Sequence, residues 1–341
     1  MEEKIRRNSQ QMKNWGLIGQ ENTTDSLELS VRAGKIGNAY LFHGPAGSGK
    51  KSLAKVFAKA VNCVEKRGDK PCGNCPSCMK FENGNHPNIE WVKPDGASLK
   101  IRQIVQIVGD VSKKPYDSGY KVVVIEQAEK MTVDAQNAFL KTLEEPPPYT
   151  VFLILAENPK ALLPTVVSRC QSFRMRPVPI TDIQVFLSRT YPDREAQIKL
   201  ASVFSNGIIG RSVQMLEQPD YFIKRQKSGE ILTQLLKGRL TIGGDFEFYQ
   251  NRAEADWFVE LGLSVLRDCM VVSELGEMSR DNVLNTDLMT VVEGASGRLT
   301  TDKMLRITDI LRRTSAYLKA NVNIKGSMDA MLLNVLEVTH G

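Results

Sequence analysis

Short uninterrupted apolar runs alternate with stretches of helical spacing over the first half of the chain, and helical spacing alone fills the second. Ala39-Tyr-Leu-Phe42, Ile89-Glu-Trp-Val92, Val122-Val-Val-Ile125 and Val151-Phe-Leu-Ile-Leu155 read as strands. The last two contain no polar position, the pattern of parallel strands covered on both faces by helices. Leu53, Val56, Phe57, Ala60 and Val61 recur at helical spacing, as do Ile101, Ile104, Val105 and Val108, which predict one buried face. A further helix is expected over 133–144, where Pro146-Pro-Pro148 must stop it. Together these elements predict an open α/β fold with a parallel sheet.

After Pro177-Val-Pro179 the strand signals cease. The pattern therefore predicts an α/β core over 1–177, a small helical lid over 178–218 and an all-helical domain over 219–341. In the last of these, Trp257, Leu261 and Val265 form one stripe, and Ile307, Ile310, Leu311, Thr314 and Leu318 form another. Neither an internal repeat nor a low-complexity stretch interrupts the chain.

A length of 341 residues suits two or three domains, and 42% hydrophobic with 25% charged residues is the balance of a soluble globular protein. The apolar runs are of strand length, so no membrane span is expected. Met1-Glu-Glu-Lys-Ile-Arg-Arg7 lacks an apolar segment behind it, so a cytoplasmic location is expected. The net charge of +6 is spread along the chain, which reads as a solvated surface and gives no concentrated nucleic-acid footprint.

Between the first strand and the first helix lies Gly44-Pro-Ala-Gly-Ser-Gly-Lys50-Lys51-Ser52. Gly44, Gly47, Gly49 and Lys50 supply the glycines and lysine of a phosphate-binding P-loop, in the strand–loop–helix context that such a loop needs. Lys51, however, stands where Ser or Thr would offer Mg²⁺ a hydroxyl. Ser52, about 100° further around the helix, does not replace it. The strand Val122–Ile125 should end in a metal-holding Asp and instead runs into Glu126-Gln127. An ATP-binding loop is therefore predicted, with nucleotide occupancy left open and hydrolysis by this chain alone not expected.

Four of the six cysteines, Cys63, Cys72, Cys75 and Cys78, fall within sixteen residues at C-x8-C-x2-C-x2-C spacing. Two C-x-x-C steps and turn formers at Pro71, Gly73, Asn74 and Pro76 suit a tetrahedral Zn²⁺ site rather than disulfides, with His86 as a rival ligand. Four thiolates leave no open position, so the zinc is expected to be structural and to staple an insertion over 63–78.

Ser168-Arg169-Cys170, the preceding Lys160-Ala-Leu-Leu-Pro164, Leu143-Glu-Glu-Pro146 and Ile18-Gly-Gln20 resemble motifs of the bacterial clamp-loader branch of the AAA+ ATPases. The cysteine spacing is similar to the zinc module of that branch, and Asn321-Val-Asn323 before an apolar helix is similar to its C-terminal region. The resemblance implies an AAA+ core and a collar domain that holds a ring of subunits together. Motor subunits of the branch keep Thr or Ser after the P-loop lysine and an Asp-Glu pair after the strand, so this chain is most similar to a non-motor member, a stator. Arg169 would then be an arginine finger acting in trans, the bland alternative being an ion pair within its own chain. Glu157-Asn158 occupies the place where motor subunits sense the γ-phosphate but reads as a polar strand end here, and Arg211 loosely resembles their second nucleotide-sensing position, a surface arginine being the alternative. Implied partners are gamma/tau-type ATPases, a delta subunit, the sliding clamp and primer–template DNA. Two other readings stay open, an active clamp-loader ATPase and a zinc-dependent DNA-binding module with a relic P-loop, the latter drawing on Lys66, Arg67, Lys70 and Lys80.

Overall fold

The computed structural model describes residues 15–65, 71–116, 119–241, 243–244 and 246–340; the N-terminal residues 1–7 and Lys66, Arg67 and Lys70 lie outside them. The chain divides into two compact units, one of Met1–Asp193 with Ser205–Val213 and the other of Arg194–Phe204 with Gln214–Gly341. The segment 178–218 is thus shared between them.

The first unit holds a five-stranded sheet formed by β1 (Ala39–His43), β2 (Ile89–Val92), β3 (Lys121–Ile125), β4 (Thr150–Ala156) and β5 (Gln171–Arg174), in the order β2-β3-β4-β1-β5. Every pairing is parallel. The intervening helices are α1 (Glu21–Ala33), α2 (Lys50–Asn62), α3 (Pro76–Glu82), α4 (Ile101–Val111), α5 (Val133–Glu144) and the short α6 (Pro164–Val167), and α7 (Ile180–Thr190) follows the sheet. Because side chains alternate along a strand, β3 and β4 feed two cores. Val123, Ile125, Phe152 and Ile154 pack with Ile104, Ile107 and Phe139 of α4 and α5. Val122, Val124, Leu153 and Leu155 pack with Leu27, Leu53 and Phe57 of α1 and α2. That double covering explains why these strands carry no polar interior position.

One predicted face is corrected. In α4 the buried positions are Ile104, Ile107 and Val111, whereas Ile101 and Val105 are 45% and 56% exposed. This helix carries two overlapping apolar stripes, and periodicity alone does not choose between them; docking on the sheet selects the one that runs 104, 107, 108, 111. The edge strand β5 was not anticipated, because Phe173 is its single apolar residue and an edge has one neighbour to satisfy.

The second unit is helical. It contains α8 (Glu195–Phe204), the end of α9 (Ile209–Glu217), α10 (Tyr221–Leu236), α11 (Arg252–Leu275), α12 (Met289–Ser296), α13 (Thr301–Lys319) and α14 (Ile324–His340). Leu261, Val265, Ile307, Leu311, Thr314 and Leu318 are buried as their stripes predict, with Trp257 and Ile310 packed against the same core. Sequence periodicity did not reveal its polar centre. Arg225 is 2% exposed and lies over the Phe204 ring at 4.1 Å. Its Nε donates to Asp287 Oδ2 (2.5 Å) and one terminal nitrogen to Asn285 Oδ1 (2.6 Å). Asn285 is held in turn by Asp268, whose Oδ2 accepts from the Asn285 backbone and side-chain amides, each at 2.7 Å. Among the described residues, no helix is long and apolar enough to cross a membrane.

Candidate functional site

The P-loop sits where its sequence context places it, between β1 and α2. Gly47 and Gly49 have φ of 77° and 93°, left-handed values that favour glycine and let the loop turn tightly into the helix. The chain itself covers part of the loop. Gly210 donates its N–H to the Gly47 carbonyl at 2.9 Å, and a Cβ on Gly210 would stand 2.7 Å from the Gly47 Cα. Lys50 folds back, its ammonium donating to the carbonyls of Gly44 (2.6 Å) and Pro45 (2.8 Å). Burial moves the Lys50 pKa below its ordinary value, against the pull of Glu157 and Glu129.

Where the P-loop pattern expects an Mg²⁺-ligating hydroxyl, this chain carries a lysine. Lys51 Nζ donates to both carboxylate oxygens of Glu126, at 2.9 and 3.1 Å, and lies 5.4 Å from the centroid of the Trp91 ring. The side chain that replaces the Mg²⁺-ligating hydroxyl is thus tied to the carboxylate that follows β3. Gln127, in a left-handed turn with φ 52°, offers an amide and no negative charge. These residues do not fit Mg²⁺: the hydroxyl is missing, the carboxylate is engaged, and an ammonium beside a divalent cation is repulsive. A cavity of about 340 Å³ remains over the loop, lined by Gly47, Lys50, Lys51, Ser52, Glu126 and Gly210 among others. Glu129 accepts from the Glu157 backbone N–H (3.1 Å), and Asn158 caps the following turn, so Glu157-Asn158 is a polar strand end. Arg211 is exposed.

Arg169 emerges just after α6. One terminal nitrogen donates to Glu144 Oε1 at 2.6 Å, the other to the Thr165 carbonyl at 2.9 Å, and the side chain is 35% exposed. In this chain the intrachain ion pair is formed, at the surface. Neighbouring Cys170 donates its thiol to the Val166 carbonyl, and burial pushes its pKa up to about 11, which leaves it a packing residue. Gln20 ties the N-terminal motif to the end of the sheet: its amide donates to the Arg176 carbonyl (2.7 Å) and its oxygen accepts the Arg176 N–H (3.0 Å). Glu144 was legible as part of a motif, but nothing in the sequence gave it a partner.

The four clustered cysteines converge from the end of α2, the following turn and the first turn of α3. Their sulfurs all lie within 4.8 Å of one another, so the group can hold a metal ion. Backbone N–H groups point at sulfur, from Cys72 to Cys63 and from Cys75 to Cys72, both at 3.2 Å, as a thiolate site requires. Burial opposes the Cys75 thiolate, yet the N–H groups of Cys78 and Val64 and the adjacent thiols bring its pKa down to about 6. Burial pushes Cys78 up to about 12. His86 does not join them. Its Nε2 bonds Ser77 Oγ at 2.9 Å and its Nδ1 accepts the Asn88 N–H at 3.2 Å.

Comparison with known proteins gives these features a family. The family described as "DNA polymerase III, delta subunit" matches residues 19–179. The DNA polymerase III subunit delta' of Bacillus subtilis is 29% identical over 320 residues, 91% of this chain and 94% of that protein. That of Pseudomonas aeruginosa is 31% identical over 304 residues, 87% and 90%. The DNA polymerase III subunit tau of Bacillus subtilis is 33% identical over 222 residues, covering 63% of this chain but 38% of that protein. With delta' relatives matched over nine-tenths or more of their length and tau over 38% of its own, this chain belongs to the DNA polymerase III delta' family.

Proposed function

We propose that this protein is the stator of a cytoplasmic clamp loader. It completes the ATPase site of a neighbouring gamma/tau-type subunit and does not turn over ATP itself. The observation that carries the reading is the ion pair between Lys51, in the sequence place of the Mg²⁺-ligating hydroxyl, and Glu126, in that of the metal-holding Asp. Phosphoryl transfer relies on a cation that bridges phosphate oxygens and on a residue that orients water. An ammonium paired with a carboxylate of its own chain supplies neither. The alternative of an active motor subunit has no such residues to call on.

In this reading Arg169 is the functional side chain, offered at the surface to a neighbour's γ-phosphate. The helical unit from about residue 219 acts as the collar that joins gamma/tau-type and delta subunits, and the assembly acts on the sliding clamp and primer–template DNA. The pure chain should show no ATP turnover above background, and Lys50→Ala should leave clamp loading by the assembled complex unchanged. A steady-state assay decides: turnover that disappears in Lys50→Ala would make this chain a motor.

Cys63, Cys72, Cys75 and Cys78 would hold a structural zinc, which when bound supplies a tetrahedral cross-link and no open coordination position. Among the described residues, the core of this module is little more than the cysteines themselves. Close to one zinc per chain is expected. Cys75→Ser should lower that content and raise amide exchange over residues 71–82, while the sheet, with cores of its own, keeps its protection. Metal analysis with exchange mass spectrometry checks this, and a metal-free native protein of unchanged exchange would contradict it.

A further inference from the structure

Glu144 and Arg169 come from separate elements, and the fold fixes both. Glu144 is the last residue of α5; Glu145 leaves the helix with φ −125°, and Pro146 follows, a residue that disfavours helical backbone in its predecessor. Arg169 leaves α6 with its own N–H bonded to the Val166 carbonyl at 3.2 Å. Its guanidinium is then gripped at both ends, by Glu144 Oε1 and by the Thr165 carbonyl. One N–H on each terminal nitrogen is used, and the rest of the fork stays free to meet another acceptor.

The pair does little for the fold. Glu144 is 50% exposed and Arg169 35%, and ion pairs in water-accessible positions add little to stability. Its consequence is geometric. A free arginine side chain samples many rotamers, whereas one held by a carboxylate and a carbonyl is biased toward one orientation of its planar fork. Transition-state contacts lose much of their value when misplaced by an ångström.

We propose that Glu144 is a positioning residue for Arg169, holding the guanidinium in the orientation that meets the neighbour's phosphate. This rests on the reading of Arg169 as a finger in trans. The test uses the reconstituted complex in which only the adjoining ATPase site is active. Glu144→Ala should lower kcat there on the order of 10-fold, with KM for ATP unchanged and the melting temperature of the isolated chain unaltered. Glu144→Gln keeps an oxygen at the same reach and should recover most of the rate. Neither substitution should change the rate further when Arg169 is already alanine. Full kcat in Glu144→Ala, an equal loss in the Arg169→Ala background, or a glutamine as poor as alanine would each overturn the proposal while leaving the finger in place. If Arg169→Ala itself has no effect, the finger reading fails, and the role of Glu144 falls with it.

Discussion

Arg225→Ala is expected to destabilise the C-terminal helical unit by about 3–5 kcal/mol, because it strips a buried charge network of its cation. Arg225 is 2% exposed, and its removal leaves Asp287 and Asn285 facing a gap under the Phe204 ring. Breaking one side of a buried pair costs more than the pair contributes, since the remaining carboxylate stays desolvated without compensation. Arg225→Lys should recover only part. A lysine keeps the charge but cannot reach Asp287 and Asn285 together as the fork does. Chemical denaturation of the isolated chain, followed by the fluorescence of Trp257 in a variant lacking Trp15 and Trp91, measures the effect on this unit. A loss below about 1 kcal/mol, the scale of an exposed pair, would mean that the network is not desolvated in solution. Since the collar is proposed to hold the ring together, Arg225→Ala should also co-purify poorly with gamma/tau-type subunits.

The buried strands and the helices between them were legible because burial on two faces forbids polar residues, and Val133–Glu144 ended where Pro146 required it. The face of α4 was misread because Ile101, Ile104, Val105, Ile107, Val108 and Val111 offer two stripes, and only the sheet decides. The cysteine cluster was legible from spacing alone, since thiols so placed share few possible purposes. The Lys51–Glu126 bond was not: it joins residues 75 apart in sequence, and the unusual identity of each was the only sign. The same holds for Arg169 with Glu144 and for Arg225 with Asp287. Ion pairs between distant elements leave no periodic trace, so sequence names the partners separately and topology brings them together.

Arg169→Ala is expected to leave the chain folded and able to join its complex while ATP hydrolysis at the adjoining site falls by about 10³-fold or more. The side chain is partly exposed and its partners are a surface carboxylate and one carbonyl, so the fold does not depend on it. Charge builds on the phosphoryl oxygens as the transition state is reached, and a cation placed there acts on the rate more than on ATP binding. Arg169→Lys should rescue poorly, because one ammonium cannot span two phosphate oxygens as the planar fork can. The same logic separates this chain's two basic sites. Lys50 and Lys51 are bound to their own loop and to Glu126 and are expected to be dispensable for turnover, whereas Arg169 is proposed to serve a site on another subunit. The decisive measurement is single-site ATPase activity of the reconstituted complex, with the other sites disabled and position 169 occupied by Arg, Lys or Ala. A rate for Lys and Ala about 10³ below that of Arg, with complex formation intact, is the predicted result; equal rates for all three would contradict it.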